Sequence, residues 1–314
     1  MNTKSNNLKG SLILCFTALI WGLAFVAQSK ASSVPPFAVN ALRSAISVPF
    51  LYIVFKIKSK KSGESLIPGE PKSKKAVIKG AVMCGIMLAV SVNFQQFGIS
   101  AYPKGAAVEA HSGFVTAMYV VIVPLVSLFL KKRVSPIIWL SVAISVFGFY
   151  LLCFRGGIDG FYTADLLVLL CAFSFAFHII TVDRNVGKIG GLRLSILQFC
   201  VCSVVSAVLS LIFEIKSYDF DILIKASPYI LYLGIMSSAV GYTLQIVGQK
   251  YAEPAIASLA MSLESVFAAI GGVLAGNTLS VREMLGCAVV FSAIVIAQLP
   301  EMLAKKSVES GEGL

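Results

Sequence analysis

The sequence predicts an all-α polytopic membrane protein with ten transmembrane helices, and three features of the chain support this prediction. Hydrophobic residues make up 57% of its 314 residues and charged residues only 13%, whereas soluble domains average about 45–50% and about 25%. The hydrophobic residues occur in blocks of about twenty, the helix length that crosses about 30 Å of hydrocarbon. These blocks are apolar on all faces, which favours helices over the alternating strands of an outer-membrane barrel.

Ten such blocks follow one another along the chain with short loops between them. Ten helices use about 200 positions, which leaves no room for a separate soluble domain. The first block follows Lys4 and Lys9 as a signal peptide would, but it is long and nine more follow, so we interpret it as the first span. Numbered in chain order, the predicted spans 1 to 10 cover residues 10–31, 36–57, 76–100, 105–130, 135–154, 162–183, 190–213, 227–249, 254–275 and 280–299.

The cysteines and the net charge have simple explanations in a membrane protein. All seven cysteines fall inside apolar blocks without CxxC spacing, which is typical of small buried side chains rather than of metal ligands or disulfides. The net charge of +11 comes from lysines and arginines between the spans, so it does not indicate a nucleic-acid partner. A Gly-rich phosphate loop, an HExxH helix and a catalytic triad are all missing from the sequence. We therefore expect no cofactor, no metal, no ATP hydrolysis and no catalytic residues.

The distribution of basic residues predicts the orientation of the chain. If the N-terminus lies inside, the inner loops and ends hold 18 lysines and arginines and the outer loops hold six. Cytoplasmic loops carry such an excess of basic residues. The bias predicts a multi-pass protein of the cytoplasmic membrane with both termini in the cytoplasm.

The two halves of the chain resemble each other weakly. The segment that starts at Lys131 and the segment that starts at Gly276 share a polar turn, a Val/Leu-Ser pair and a following apolar span, and Gln-x-x-Gly occurs at Gln95 and again at Gln245. These matches predict two five-span repeats, at 10–155 and 161–300. Because five is odd, the second repeat must enter the membrane in the opposite orientation, an inverted repeat that is common among secondary transporters.

Five segments, in order along nearly the whole chain, together resemble the drug/metabolite transporter superfamily, specifically its EamA-type permeases. They are ALIWGLAFVAQ around Trp21, PPFAVNALR ending at Arg43, FVTAMYVVIVPL at 114–125, YLGIMSSAVGYTLQIVGQKY at 232–251 and SLESVFAAIGG at 262–272. The resemblance implies a ten-helix carrier that moves small organic solutes, often by export, through a central cavity between the two repeats. It also places Arg43 at a recurrent family arginine, for which we keep open a structural ion pair and a substrate anion site.

Glu264 is the most informative polar residue, because ionisable side chains inside a bilayer are costly unless they are paired or face a cavity. It lies about ten residues into span 9, about 15 Å deep and near the midplane, where carriers of this design bind substrate. A charged carboxylate at that depth costs about 2.5–3.5 kcal/mol. We predict that Glu264 binds a cationic group or a coupling proton; the alternative is a structural hydrogen bond between helices.

A polar stripe in span 4 suggests a cavity lining. Glu109, Ser112, Thr116 and Tyr119 are spaced by three, four and three residues, so they share one helical face. Glu109 is a second candidate for proton coupling, although at the outer end of the span it could instead be solvated or paired with Arg43. Tyr119 is a candidate aromatic wall of the substrate site.

The other candidates are polar or aromatic residues inside the spans. In span 3 and span 8, two such faces occur at matching places in the two halves, and interhelical hydrogen bonds are the alternative explanation for both. A histidine in span 6 could equally be a hydrogen-bonded core residue. The full set of predicted substrate-binding residues is Trp21, Asn93, Gln96, Tyr119, His178, Tyr242, Gln245 and Glu264.

Together these features predict a secondary transporter that moves a small organic metabolite (an amino acid, a nucleoside-like compound or a drug) across the cytoplasmic membrane by alternating access, as an exporter. An intramembrane enzyme acting on a lipid-linked substrate and a passive channel are the alternatives. The expected partners are the substrate and the lipid bilayer, with the protein acting as a monomer or a homodimer.

Overall fold

The computed structural model describes residues 7–63, 65–103, 106–131, 134–153, 162–276 and 280–309. Within these ranges the regular structure is helical, without strands. Eight helical segments there are long and apolar enough to cross a bilayer, and two shorter apolar helices, Pro136–Leu151 and Met284–Ala297, coincide with predicted spans 5 and 10. The prediction of an all-α membrane protein with ten spans is therefore confirmed.

Seven of the spans are single α-helices in the described ranges. They run over Asn7–Lys30 (span 1), Pro36–Ser62 (span 2), Pro71–Ala101 (span 3), Pro136–Cys153 (span 5), Thr163–Ile189 (span 6), Gly191–Phe213 (span 7) and Val281–Glu309 (span 10). Spans 2, 3 and 5 each begin with proline, which suits the first turn because the amide that proline lacks has no intrahelical partner there. Span 2 ends where Gly63 adopts a φ of 65°, the left-handed conformation that favours glycine at a helix end.

The other three spans are interrupted near their middles. Their α-helical segments are Val108–Ala117 and Tyr119–Phe129 in span 4, Phe220–Tyr232 and Tyr242–Gln249 in span 8, and Pro254–Met261 and Glu264–Leu274 in span 9. In span 8 the interruption is a π-helix over Leu233–Gly241. Irregular backbone at membrane depth is tolerated where it is buried in protein or lines a cavity, so the three interruptions indicate where to look for a site.

The packing of the spans has the symmetry of two repeats. Spans 2 and 7, spans 4 and 9, and spans 5 and 10 occupy equivalent places in the two halves, and in each case the two equivalent spans pack directly against each other. Span 3 packs on span 6 just as span 8 packs on span 1. Because each half has five spans, equivalent spans cross the membrane in opposite directions, which makes the fold an inverted repeat. The predicted repeat ends at residues 155 and 161 lie outside the described residues.

The outside of the helix bundle is covered by large apolar side chains. Examples that are more than half exposed are Leu12, Phe129, Phe147, Val204 and Leu274. Soluble monomers rarely expose a contiguous apolar surface of this kind. Lipid chains therefore form the natural surroundings of these faces, while polar side chains are collected inside the bundle.

Glu214, just after span 7, closes one end of the contact between spans 7 and 2. Its carboxylate accepts hydrogen bonds from the backbone N–H groups of Phe37 and Ala38, both at 2.9 Å, and from the Ser210 hydroxyl at 2.6 Å. These amides belong to the first turn of span 2, where N–H groups have no intrahelical acceptor and the helix dipole favours negative charge. Glu214 therefore caps a helix of the opposite repeat.

The substitution Glu214→Ala should lower the stability of the protein by about 1–2 kcal/mol, the usual cost of losing a helix cap. In thermal unfolding of the detergent-solubilised protein, we expect Tm to fall by about 2–4 °C. Glu253→Ala is the matched control, because Glu253 precedes span 9, is exposed and makes no side-chain capping bond. Equal losses of Tm in both variants would show that the cap between the repeats contributes nothing specific.

Candidate functional site

The three interruptions bring three predicted residues to equivalent positions. Tyr119, Tyr242 and Glu264 are each the first residue of the helical segment that follows the break in spans 4, 8 and 9. All three are almost fully buried, with exposed fractions of 2%, 3% and 3%. They line a single cavity between the two repeats.

This cavity has a volume of about 20 Å³, enough for one water molecule, which needs at least about 10–15 Å³. Spans 1 to 4 contribute its wall on one side and spans 6, 8 and 9 on the other. The polar and aromatic residues of the first repeat in this wall are Trp21, Phe25, Gln28, Arg43, Gln95 and Tyr119. Those of the second repeat are Phe175, Ser237, Tyr242, Gln245 and Glu264.

Five of the eight predicted substrate-binding residues therefore lie together at the cavity, and two of them form an aromatic wall. The rings of Trp21 and Tyr242 are 4.6 Å apart between centroids, and the Trp21 indole N–H donates to the carbonyl of Ser237 at 3.2 Å. A Cβ atom at Gly241 would lie 2.7 Å from the Trp21 nitrogen. Only glycine at this position lets the indole approach span 8 so closely.

Asn93 and Gln96, two of the three remaining predicted residues, join helices beside the cavity. The Asn93 amide donates to the Ser206 hydroxyl at 3.0 Å and links span 3 to span 7. The side chain of Gln28 donates to Gln96 at 3.3 Å, and Gln96 in turn donates to the Gln28 carbonyl at 3.3 Å. In the described part of the chain, neither Asn93 nor Gln96 is part of the cavity wall.

His178 also lies beside the cavity rather than on its wall. Its Nε2 is 3.1 Å from the side-chain oxygen of Gln198, and its ring packs against Tyr242 and Phe175 at centroid distances of 6.1 and 6.3 Å. The imidazole is fully buried. Its position therefore supports the aromatic wall from behind.

Glu109, the second candidate for proton coupling, is buried in the first turn of span 4, away from the cavity wall. Two residues further on, His111 Nδ1 lies 4.0 Å from a carboxylate oxygen of Asp165. Asp165 also accepts hydrogen bonds from the Tyr102 hydroxyl and from the backbone N–H of Tyr162. Sequence reasoning did not single out Asp165, because an acidic residue in the first turn of a helix is an ordinary capping residue.

Arg43 is anchored by the π-helix of span 8. Its Nε donates to the Ser238 hydroxyl at 2.9 Å and its Nη2 to the Ser237 hydroxyl at 2.8 Å. The pairing with Glu109 that the sequence left open is not made, because the guanidinium is directed at span 8. Among the described residues, no carboxylate lies within 4.0 Å of it and its Nη1 has no hydrogen-bond partner.

Three further polar atoms on the cavity residues also lack a hydrogen bond of good geometry in the described ranges. They are the Tyr119 hydroxyl, Gln245 Oε1 and Glu264 Oε1. A buried polar group that is left unpaired costs about 1–3 kcal/mol. The Tyr119 hydroxyl and the Glu264 carboxyl interact with each other, so the groups that remain for a small polar molecule are chiefly one donor, Arg43 Nη1, and one acceptor, Gln245 Oε1.

Sequence analysis selected Gln96, whereas the cavity is lined by its neighbour Gln95. Gln95 accepts a hydrogen bond from the Gln28 side chain at 3.0 Å, and Gln28 also lines the cavity. Helical spacing within span 3 puts the two adjacent glutamines on different faces but does not say which face points to the cavity. Comparison of the two repeats would have selected Gln95, because Gln95 in the first Gln-x-x-Gly corresponds to Gln245 in the second. Both residues line the cavity.

Comparisons with known proteins agree with the symmetry of the fold. A profile of the EamA-like transporter family matches the chain twice, over residues 8–154 and 162–298. An uncharacterised transporter of Archaeoglobus fulgidus is 26% identical over 300 residues, which cover 93% of this chain and 86% of the relative. A crystal structure with 19% sequence identity has the same fold, with a TM-score of 0.72 over 93% of this chain and 98% of its own.

Proposed function

Because this chain belongs to the EamA-like transporter family, we propose that it is a secondary transporter that exports a small organic metabolite across the cytoplasmic membrane by alternating access. The observation that supports this proposal most directly is the buried cavity between the repeats, where Arg43 Nη1 and Gln245 Oε1 lack protein partners among the described residues. A substrate can supply those partners. The excess of basic residues in alternate loops supports a cytoplasmic location for both termini.

The size of the cavity supports a cycle in which the two repeats move. Small-molecule sites occupy about 300–1,000 Å³, whereas this cavity holds about 20 Å³. A metabolite can therefore enter only if the helices separate on one side of the site. Because the two repeats are inverted, the same separation can occur on either side of the membrane.

Glu264 is the candidate coupling residue of this cycle. It begins the second segment of span 9, and Tyr119 holds the equivalent position in span 4 of the other repeat. Both side chains reach the same cavity, where the Tyr119 hydroxyl and the Glu264 carboxyl interact with each other. A carboxylate in this position can bind a proton or a substrate cation in one state and release it in another.

Reconstitution in vesicles tests the proposal. Proteoliposomes are loaded with a metabolite extract of the expression host, and exchange against the same extract labelled with ¹³C is followed by mass spectrometry. We expect saturable counterflow of one or a few compounds. Chemical change of a compound would instead support an intramembrane enzyme, and ionic conductance without saturable exchange would support a channel.

A further inference from the structure

Arg43 is a buried cation that has no carboxylate within 4.0 Å among the described residues. The side chain is 3% exposed in the middle of the helix bundle, and a guanidinium stays protonated in proteins. Its two hydrogen-bond partners, Ser237 and Ser238, are neutral hydroxyls. Charged side chains inside membrane spans are typically paired or directed at a substrate pathway. Because Arg43 is held by neutral hydroxyls and contacts no carboxylate of the described residues, its surroundings indicate a charge that is directed at a substrate pathway.

The π-helix of span 8 explains how Arg43 is held. The wider turn of a π-helix brings consecutive side chains closer together in angle than an α-helix does, and here the consecutive residues Ser237 and Ser238 both accept from the guanidinium. π-Helical turns are rare and occur frequently at functional sites. The two serines occupy Nε and Nη2, so Nη1 is the nitrogen that remains for another molecule.

The surroundings of Nη1 favour a strong ion pair. Arg43, Trp21 and Tyr242 line the same cavity, and the Trp21 indole is fixed to the same π-helix through the carbonyl of Ser237. These aromatic side chains and the small volume limit the access of water. Attraction between opposite charges increases as the local dielectric falls.

We propose that Arg43 binds the carboxylate of the transported substrate through Nη1, and that Ser237 and Ser238 are positioning residues for its guanidinium. This inference rests on the proposed function, in which the substrate occupies the cavity. A single carboxylate fits better than a phosphate dianion, because only one nitrogen is available and the cavity also holds an unpaired acceptor, Gln245 Oε1. That acceptor suits an N–H or O–H group on the rest of the substrate.

The counterflow experiment in vesicles tests this inference when the exchanged compounds are sorted by chemistry. We expect the compounds exchanged by the wild-type protein to carry a carboxylate. The amide of each such acid, which has nearly the same size but no charge, should exchange at least about tenfold more slowly, because a buried charge pair is lost. Arg43→Gln should slow exchange of the acid by a similar factor and leave acid and amide nearly equal.

The serine pair offers a second route if the Arg43→Gln protein does not fold. In the double variant Ser237→Ala/Ser238→Ala the guanidinium loses both anchors, and we expect KM for the acid to rise with little change in KM for its amide. The matched control is Ser174→Ala/Ser292→Ala, which removes two exposed hydroxyls that bond only within their own helices. A merely structural role of the serines would raise KM for acid and amide alike.

Three results overturn the inference in distinguishable ways. If the wild-type protein exchanges only compounds that lack a carboxylate, the proposed function stands and the role of Arg43 is wrong. The same holds if folded Arg43→Gln protein still prefers acids to their amides. If the wild-type protein exchanges no compound at all, the proposed function fails, and the carboxylate site fails with it.

Discussion

Glu264→Gln protein is expected to lose the response of transport to a pH gradient and to transport at least about tenfold more slowly than wild type. Glutamine keeps the size and hydrogen-bonding capacity of the side chain but cannot bind and release a proton or hold a cation by charge. Glu264 lines the cavity and interacts with the Tyr119 hydroxyl, and a glutamine oxygen can still accept from that hydroxyl, so the substitution removes little that stabilises the fold. Metabolite flux in proteoliposomes, with and without an imposed pH gradient, measures both effects.

Glu109→Gln is the matched comparison for this experiment. Glu109 is also a buried glutamate and the other candidate for proton coupling, but it lies away from the cavity wall. We expect this variant to keep its response to pH. Flux by Glu264→Gln protein that is near normal and still depends on pH would exclude Glu264 as the coupling residue, and loss of the response only in Glu109→Gln would assign coupling to span 4.

Among substitutions in span 1 that add a single methyl group, Gly22→Ala should destabilise the protein most. Span 1 crosses span 9 so closely at Gly22 that an added Cβ would lie 2.3 Å from the Cβ of Phe267 and 2.8 Å from its carbonyl carbon. Backbone cannot move aside as a flexible side chain can, and overpacking of this kind costs about 1–3 kcal/mol or more. The two helices must separate, which moves Trp21 on span 1 away from Glu264 on span 9.

The Tm in detergent and the flux in proteoliposomes should both be lower for Gly22→Ala protein than for wild type. Gly187→Ala is the matched control, because it makes the same change within span 6 at a position where an added Cβ meets nothing within 4 Å. There we expect no loss of Tm, or a small gain, since alanine is favoured over glycine in helices by about 0.5–1 kcal/mol. An unchanged Tm for Gly22→Ala would mean that spans 1 and 9 pack less tightly than described.

Span 8 shows how far periodicity and hydropathy can define an element. Its hydrophobic block predicts a span from residue 227, whereas the helix begins at Phe220. Asp219 accepts hydrogen bonds from the backbone N–H groups of Asp221 and Ile222, so a helix cap extends the span into a polar segment. The π-helix in the same span leaves no comparable mark, since its residues are as apolar as those of a regular helix.

The candidate site likewise combines features that the sequence predicts with features that depend on helix packing. The predicted depth of Glu264 follows from counting residues along one helix, and its side chain lines the cavity. The choice between Gln95 and Gln96 depends on which way span 3 is turned against its neighbours. The partners of Arg43 depend on span 8, almost two hundred residues away along the chain.

The sequence by itself determined that this protein has ten apolar helical spans in two repeats. The cost of placing polar backbone and side chains in lipid depends on the residues of each segment alone, so hydropathy along the chain reveals the spans. It also identified the buried carboxylate, for the same reason. Only the tertiary structure decided which side chains share the cavity and that two serines of a π-helix hold Arg43. Those outcomes depend on the rotation and spacing of packed helices, to which residues from distant parts of the chain contribute together.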